Sequence, residues 1–159
     1  MKRILILTWM MVLFTLNVCF AALPDSEFAI GGLTLGSTEE QVQSVYGEPS
    51  SREVSALGAP GHERYDIVTY KYGDSVMIIF YQGHLTSLIV SRANGWTTPS
   101  GIGIGTSLSD LLDMYGKPSW MYNNNTLYHY GIRDASYIGL GFKVKNNKVI
   151  ELRLIEQID

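Results

Sequence analysis

GLTLGSTEEQVQSVYGEPS (32–50) and GIGIGTSLSDLLDMYGKPS (101–119) are two versions of one segment, offset by 69 residues without a gap. Gly36 answers Gly105, Tyr46 answers Tyr115, Gly47 answers Gly116 and Pro49 answers Pro118. Leu33 and Leu35 answer Ile102 and Ile104. Self-similarity of this length marks a structural unit used twice. Its residues are caps, apolar spacers and breakers, so the repeat speaks of construction and supplies no catalytic chemistry.

Each copy opens on a short apolar stretch closed by glycine and continues as a helix. In the first, Ser37 is the expected N-cap, with Glu40 completing a capping box. In the second, Thr106 or Ser107 caps, and Asp110 lies near the positive helix end. Val42, Val45 and Tyr46 recur at helical spacing, as do Leu108, Leu111, Leu112 and Tyr115. Gly47 and Gly116 suit a positive-φ C-terminal position, and Pro49 and Pro118 stop the helices.

Strands are expected at Ile67–Tyr72, Ser75–Tyr81 and Leu85–Ser91, then at Thr126–Tyr130, Tyr137–Lys145 and Val149–Ile155. Tight turns at Gly73-Asp74, Gln82-Gly83-His84 and Asn146-Asn147 imply antiparallel meanders. Tyr70 and Tyr72 answer Tyr128 and Tyr130 at an offset of 58, so the first copy carries about 11 extra residues. They fall in Ser51–Asp66, expected as a long loop, a place where function concentrates. The expected fold is α+β: two tandem repeats, each a helix packed on an antiparallel meander of about three strands. Residues 23–93 form repeat 1, 94–100 the linker and 101–159 repeat 2.

Ahead of the repeats, Lys2 and Arg3 precede an apolar run from Ile4 to Phe20, followed by Ala21 and Ala22. Charged start, apolar middle and small residues at the end describe a signal peptide over 1–22. The rival is an uncleaved membrane anchor, for which the run is short against the roughly 20 residues of a span. A lipid on Cys19 is a second rival. Removal of 1–22 takes away Lys2, Arg3 and the single cysteine. It leaves 10 basic against 15 acidic residues, and neither thiol nor disulfide. Scattered charges of net negative sign argue against a nucleic-acid partner, which needs a clustered basic face.

A helix entered through Gly36-Ser37-Thr38 or Gly105-Thr106-Ser107, closed by Tyr-Gly-x-Pro and followed by antiparallel strands, resembles the SmpA/OmlA (BamE-like) outer-membrane assembly lipoproteins. Doubled in tandem, it resembles the β-lactamase-inhibitor-protein architecture. The resemblance covers both repeats. It implies a non-enzymatic protein that works by protein–protein contact in the periplasm, the cell envelope or outside the cell. It carries no contact residue over, and Val18 before Cys19 departs from the lipoprotein branch.

Catalytic constellations are sparse. His62, His84 and His129 are the only histidines, and His62 with Glu63 is the only adjacent ligand pair among them. A metal site needs about three converging ligands, so no metal and no cofactor are expected. No serine occupies a G-x-S-x-G elbow. The glycines of Gly101–Gly105 lack phosphate-loop spacing and a following lysine.

The sheet patterns are more informative. In the second copy Ile138, Leu140, Phe142 and Val144 alternate with Tyr137, Gly139, Gly141, Lys143 and Lys145, a half-buried strand with a polar outer side. Phe80 aligns with Phe142, so Val76, Ile78 and Phe80 should be core. Met77, Ile79 and Tyr81 then face away, joined by Ile89, on a side that is apolar where its twin is polar. Tyr65, Trp96, Trp120 and Tyr122 lie in or beside loops and are suited to anchoring a partner. These eight residues are the candidate partner-binding set, unless the long loop or the other repeat covers them. The function expected is non-catalytic recognition of a protein partner by an exported module. The rivals are an envelope assembly or scaffold protein acting on a membrane-protein complex, and a small secreted hydrolase in which a histidine meets a carboxylate.

Overall fold

A computed structural model describes residues 23–57, 65–124, 126–132 and 138–156. A short 3-10 turn at Asp25–Glu27 leads into a two-stranded hairpin, β1 (Ala29–Ile30) and β2 (Leu33–Thr34). Helix α1 (Glu39–Tyr46) follows. Four strands come next: β3 (Ser51–Leu57), β4 (Tyr65–Tyr72), β5 (Val76–Tyr81) and β6 (His84–Val90). Helix α2 (Leu108–Tyr115) precedes β7 (Trp120–Tyr122), β8 (Leu127–Gly131), β9 (Ile138–Lys145) and β10 (Lys148–Glu156).

The expectation of two helix-plus-meander units is overturned. The protein is mostly β, and β3 to β10 form one eight-stranded antiparallel sheet in the order β3-β4-β5-β6-β10-β9-β8-β7. Its seam is the pairing of β6 with β10, where Val90, Ile89, Leu88 and Ser87 meet Leu152, Arg153, Leu154 and Ile155. The physical reason is edge burial. A meander ending at β6 or at β10 would leave a long apolar edge with unpaired backbone groups, and each edge covers the other. Leu88, Val90, Leu152 and Leu154 at the seam are fully buried, so the two halves share one core.

The expected loop over Ser51–Asp66 is corrected as well. Ser51–Leu57 is a strand paired with Tyr65–Lys71, and residues 58–64 lie outside the described part. The extra residues of the first half therefore lengthen a hairpin. Alternation had not exposed β3, because Arg52, Glu53 and Ser55 interrupt its apolar residues.

The helices sit on one side of the sheet. In α1, Thr38 is the N-cap, and its side chain and that of Gln41 complete a reciprocal capping box, one residue later than Ser37 and Glu40 suggest. Ser107 caps α2 by accepting from the Asp110 N–H. Both helices end at glycines with φ of +73° (Gly47) and +69° (Gly116), a backbone that side chains resist. Each helix start is docked on a strand turn in the same way: Gly36 N–H donates to the Leu85 carbonyl, and Gly105 N–H to that of Val149, both at 2.8 Å. The helices bury Val42, Leu111 and Tyr115 against Tyr70, Ile78, Phe80, Leu140 and Phe142. Val45, read as a core position, is 67% exposed, because α1 is only eight residues long and turns a single residue fully inward.

Candidate functional site

The opposite face of the sheet is where the candidates gather. Strand pairing puts partners on a common face. Met77 pairs with Lys71 and Ile89, Ile79 with Thr69 and Ser87, and Tyr81 with Ile67. Ile89 pairs with Arg153, Arg153 with Gly141, Gly141 with His129, and His129 with Trp120. Tyr122 pairs with Leu127. Tyr65 reaches the same side, its ring 5.6 Å from that of Tyr81. Seven of the eight sequence candidates thus share the face turned away from the helices: Met77, Ile79, Tyr81, Ile89, Tyr65, Trp120 and Tyr122.

These side chains are half-buried, apart from Tyr122, which is exposed. They form two islands. The first comprises Tyr65, Ile67, Tyr81, Ile79, Met77 and Ile89. In the second, Trp120 and Tyr122 flank His129, with ring centroids at 5.8 and 6.1 Å. Between them runs a charged strip in which Arg153 Nε donates to Glu151 Oε1. At the border of the first island Lys71 Nζ reaches Glu53 Oε1 at 2.9 Å. A cleft of about 560 Å³ opens there, lined by Lys71, Met77, Ile89, Arg92, Glu151 and Arg153. Its floor is apolar and its rim carries both signs of charge. That arrangement accommodates an apolar side chain whose neighbours make polar contacts.

Trp96 does not join this face. Its ring lies 4.3 Å from that of Tyr46, over Gly31, where an added Cβ would come within 2.6 Å of the indole. Trp96 is a packing residue that closes the helix-side core. Tyr46 completes the arrangement by donating its hydroxyl to the Gly31 carbonyl.

The histidines do not converge. His84 opens β6, with Nδ1 3.2 Å from the Gly36 carbonyl, while His129 is buried on the far half of the sheet. His62 and Glu63 lie outside the described residues. Among the described residues no three histidine, cysteine or acidic side chains come together as metal ligands would.

Two polar networks escaped the sequence reading. On the helix side Tyr70 donates to Glu39 Oε2 at 2.6 Å, Gln43 donates to the Tyr70 hydroxyl, and Arg52 Nη2 reaches Glu39 at 3.2 Å. Burial raises the Tyr70 pKa, and the Glu39 hydrogen bond raises it further. In the second half the Tyr115 hydroxyl donates to Glu27 Oε2 and accepts from the Thr98 hydroxyl, each at 2.6 Å. Burial pushes Tyr115 and Tyr130 well above the ordinary tyrosine range. The partners are 13 to 88 residues apart, so no local pattern announced them. Outer-face residues that were also missed, Ile67, Leu127 and Ile155, alternate correctly within their strands and were legible in principle.

No family model and no curated protein sequence matches the chain. Its structure is similar to the crystal structure of the uncharacterized protein YfeY from Escherichia coli, at 20% identity and a TM-score of 0.48. The match covers 82% of this chain and 97% of that one. At that TM-score the likeness supports no conclusion about fold family or activity.

Proposed function

We propose that the protein is an exported, non-catalytic recognition module that binds a protein partner with the helix-free face of its sheet. One observation carries the reading: Tyr65, Trp120 and Tyr122, aromatic residues in or beside loops, fall on the same face as the apolar set Met77, Ile79, Tyr81 and Ile89. An apolar surface bordered by paired charges favours a folded protein over a small polar ligand. Export rests on the sequence of residues 1–22, which predicts a mature chain beginning at Ala22 or Leu23. Among the described residues no helix is long and apolar enough to cross a membrane.

The test is site-specific photo-crosslinking in cells. A photoreactive residue at Ile79 should capture a discrete protein adduct. The same residue at Val45, exposed on the helix side, should not. Ile79→Asp should abolish a partner's capture from a second outer-face position, Trp120, while the melting curve changes little. No adduct from Ile79, or equal adducts from both faces, would overturn the reading. Mass spectrometry of the exported chain checks its start.

A further inference from the structure

The two ends of the sheet are built differently. By the 69-residue offset, Ser51 at the start of β3 answers Trp120 at the start of β7. Both are edge strands, but β3 runs for seven residues and β7 for three. Proteins protect sheet edges by keeping them short or by charging them. Strand β7 uses the first device, and β3, which is long, carries charge only in its first half, at Arg52 and Glu53. Its two charges are exposed but paired within the chain, Arg52 to Glu39 on α1 and Glu53 to Lys71 on β4. Beyond them Val54, Ser55 and Ala56 are uncharged and exposed, with Val54 at 53%.

We propose that β3 is a pairing edge and that it takes β3 of a second copy of this chain, antiparallel and centred on Val54. The register follows from the residues. Opposed residues must share a sheet face, which limits a two-fold pairing to centres on single residues. Centring on Arg52 or on Glu53 sets like charges against each other, a destabilising contact. Centring on Val54 places valine on valine, Arg52 opposite the second copy's Ala56 and Glu53 opposite its Ser55. That register alone pairs all seven residues of β3. The eight-stranded sheet continues into a sixteen-stranded one across the axis. The contact uses edge backbone and does not depend on the outer-face reading.

Cysteine crosslinking of the full chain, carrying Cys19→Ser, tests the register. Val54→Cys should form an intermolecular disulfide on mild oxidation, because directly opposed strand residues lie about 4.5–5.5 Å apart, within disulfide reach. Arg52→Cys should not, since its two copies would be about 14 Å apart at about 3.4 Å per residue. Light scattering should give the parent chain the mass of a dimer. Val54→Asp should raise the dimer dissociation constant at least about tenfold with unchanged circular dichroism. A monomeric mass at every concentration, or crosslinking of Arg52→Cys as readily as Val54→Cys, would overturn the proposal. Pairing of β3 only with a strand of a different protein would overturn it too.

Discussion

The two halves of the sheet present the same inner face and different outer faces. On the inner side Val76, Ile78 and Phe80 match Ile138, Leu140 and Phe142, and all but Ile138 are buried. On the outer side Met77, Ile79 and Tyr81 stand where Gly139, Gly141 and Lys143 stand in the second half. The inner residues must fill one shared core against the helices, and packing there tolerates little change. The outer positions are freed from that constraint. What differs between two otherwise equivalent halves is therefore the better guide to function.

The largest effect should separate the two faces within one strand. Phe80 is fully buried, and Phe80→Asp should cost several kcal/mol and unfold the domain, because a buried charge finds no partner there. Ile79→Asp, one residue away, should cost about 1 kcal/mol. Thermal melts of the pair decide this, and equal collapse would show that the outer face is covered.

Next in size are the helix ends, where the halves should behave alike. Gly47→Ala and Gly116→Ala should each destabilise by about 1–3 kcal/mol, since positive φ with extended ψ is essentially reserved for glycine. Denaturant midpoints of the two variants test it. A large difference between them would break the local equivalence of the two segments.

The tyrosines sharpen the comparison with pH. Tyr46 and Tyr72 are twins of Tyr115 and Tyr130, and burial raises the pKa of all four. The second pair is raised more. A folded-state pKa above the unfolded value of about 10 contributes stability that is complete below pH 10 and lost as pH rises through the folded value. Alkaline melts should therefore weaken the protein, and tyrosinate absorbance should show Tyr115 and Tyr130 ionising last. A smaller latest phase in Tyr115→Phe, where Tyr130 still contributes, and its full retention in Tyr46→Phe are the expected results.

The smallest effect concerns Gly141, the twin of Ile79. An added Cβ would lie 3.5 Å from Arg153 Cβ and from Leu127 Cδ1, ordinary contact distances. Gly141→Ala should stabilise by about 0.5 kcal/mol by restricting the unfolded chain. Destabilisation in the denaturant midpoint would mean that the glycine is needed for close packing on that half.

The sequence by itself determined the local structure. Its caps, glycines and prolines set two helices 69 residues apart, and period-two alternation chose the buried side chains of β5 and Leu140, Phe142 and Val144 of β9, whereas in β10 a bulge between Val149 and Glu151 buries Val149 and leaves Ile150 half-buried. These are signals between residues a few positions apart, which a single chain displays openly. It did not display β3, whose alternation is broken by charges that find their partners on α1 and β4. Nor did it separate Trp96 from Tyr65, Trp120 and Tyr122, since an aromatic near a loop reads alike whether it packs inward or faces out. Only tertiary structure decided that β6 would join β10. Strand pairing is a contact between backbones, and backbone carries no sequence code for its partner. That one pairing turned two expected units into a single sheet, and it brought outer-face residues from both halves onto one surface.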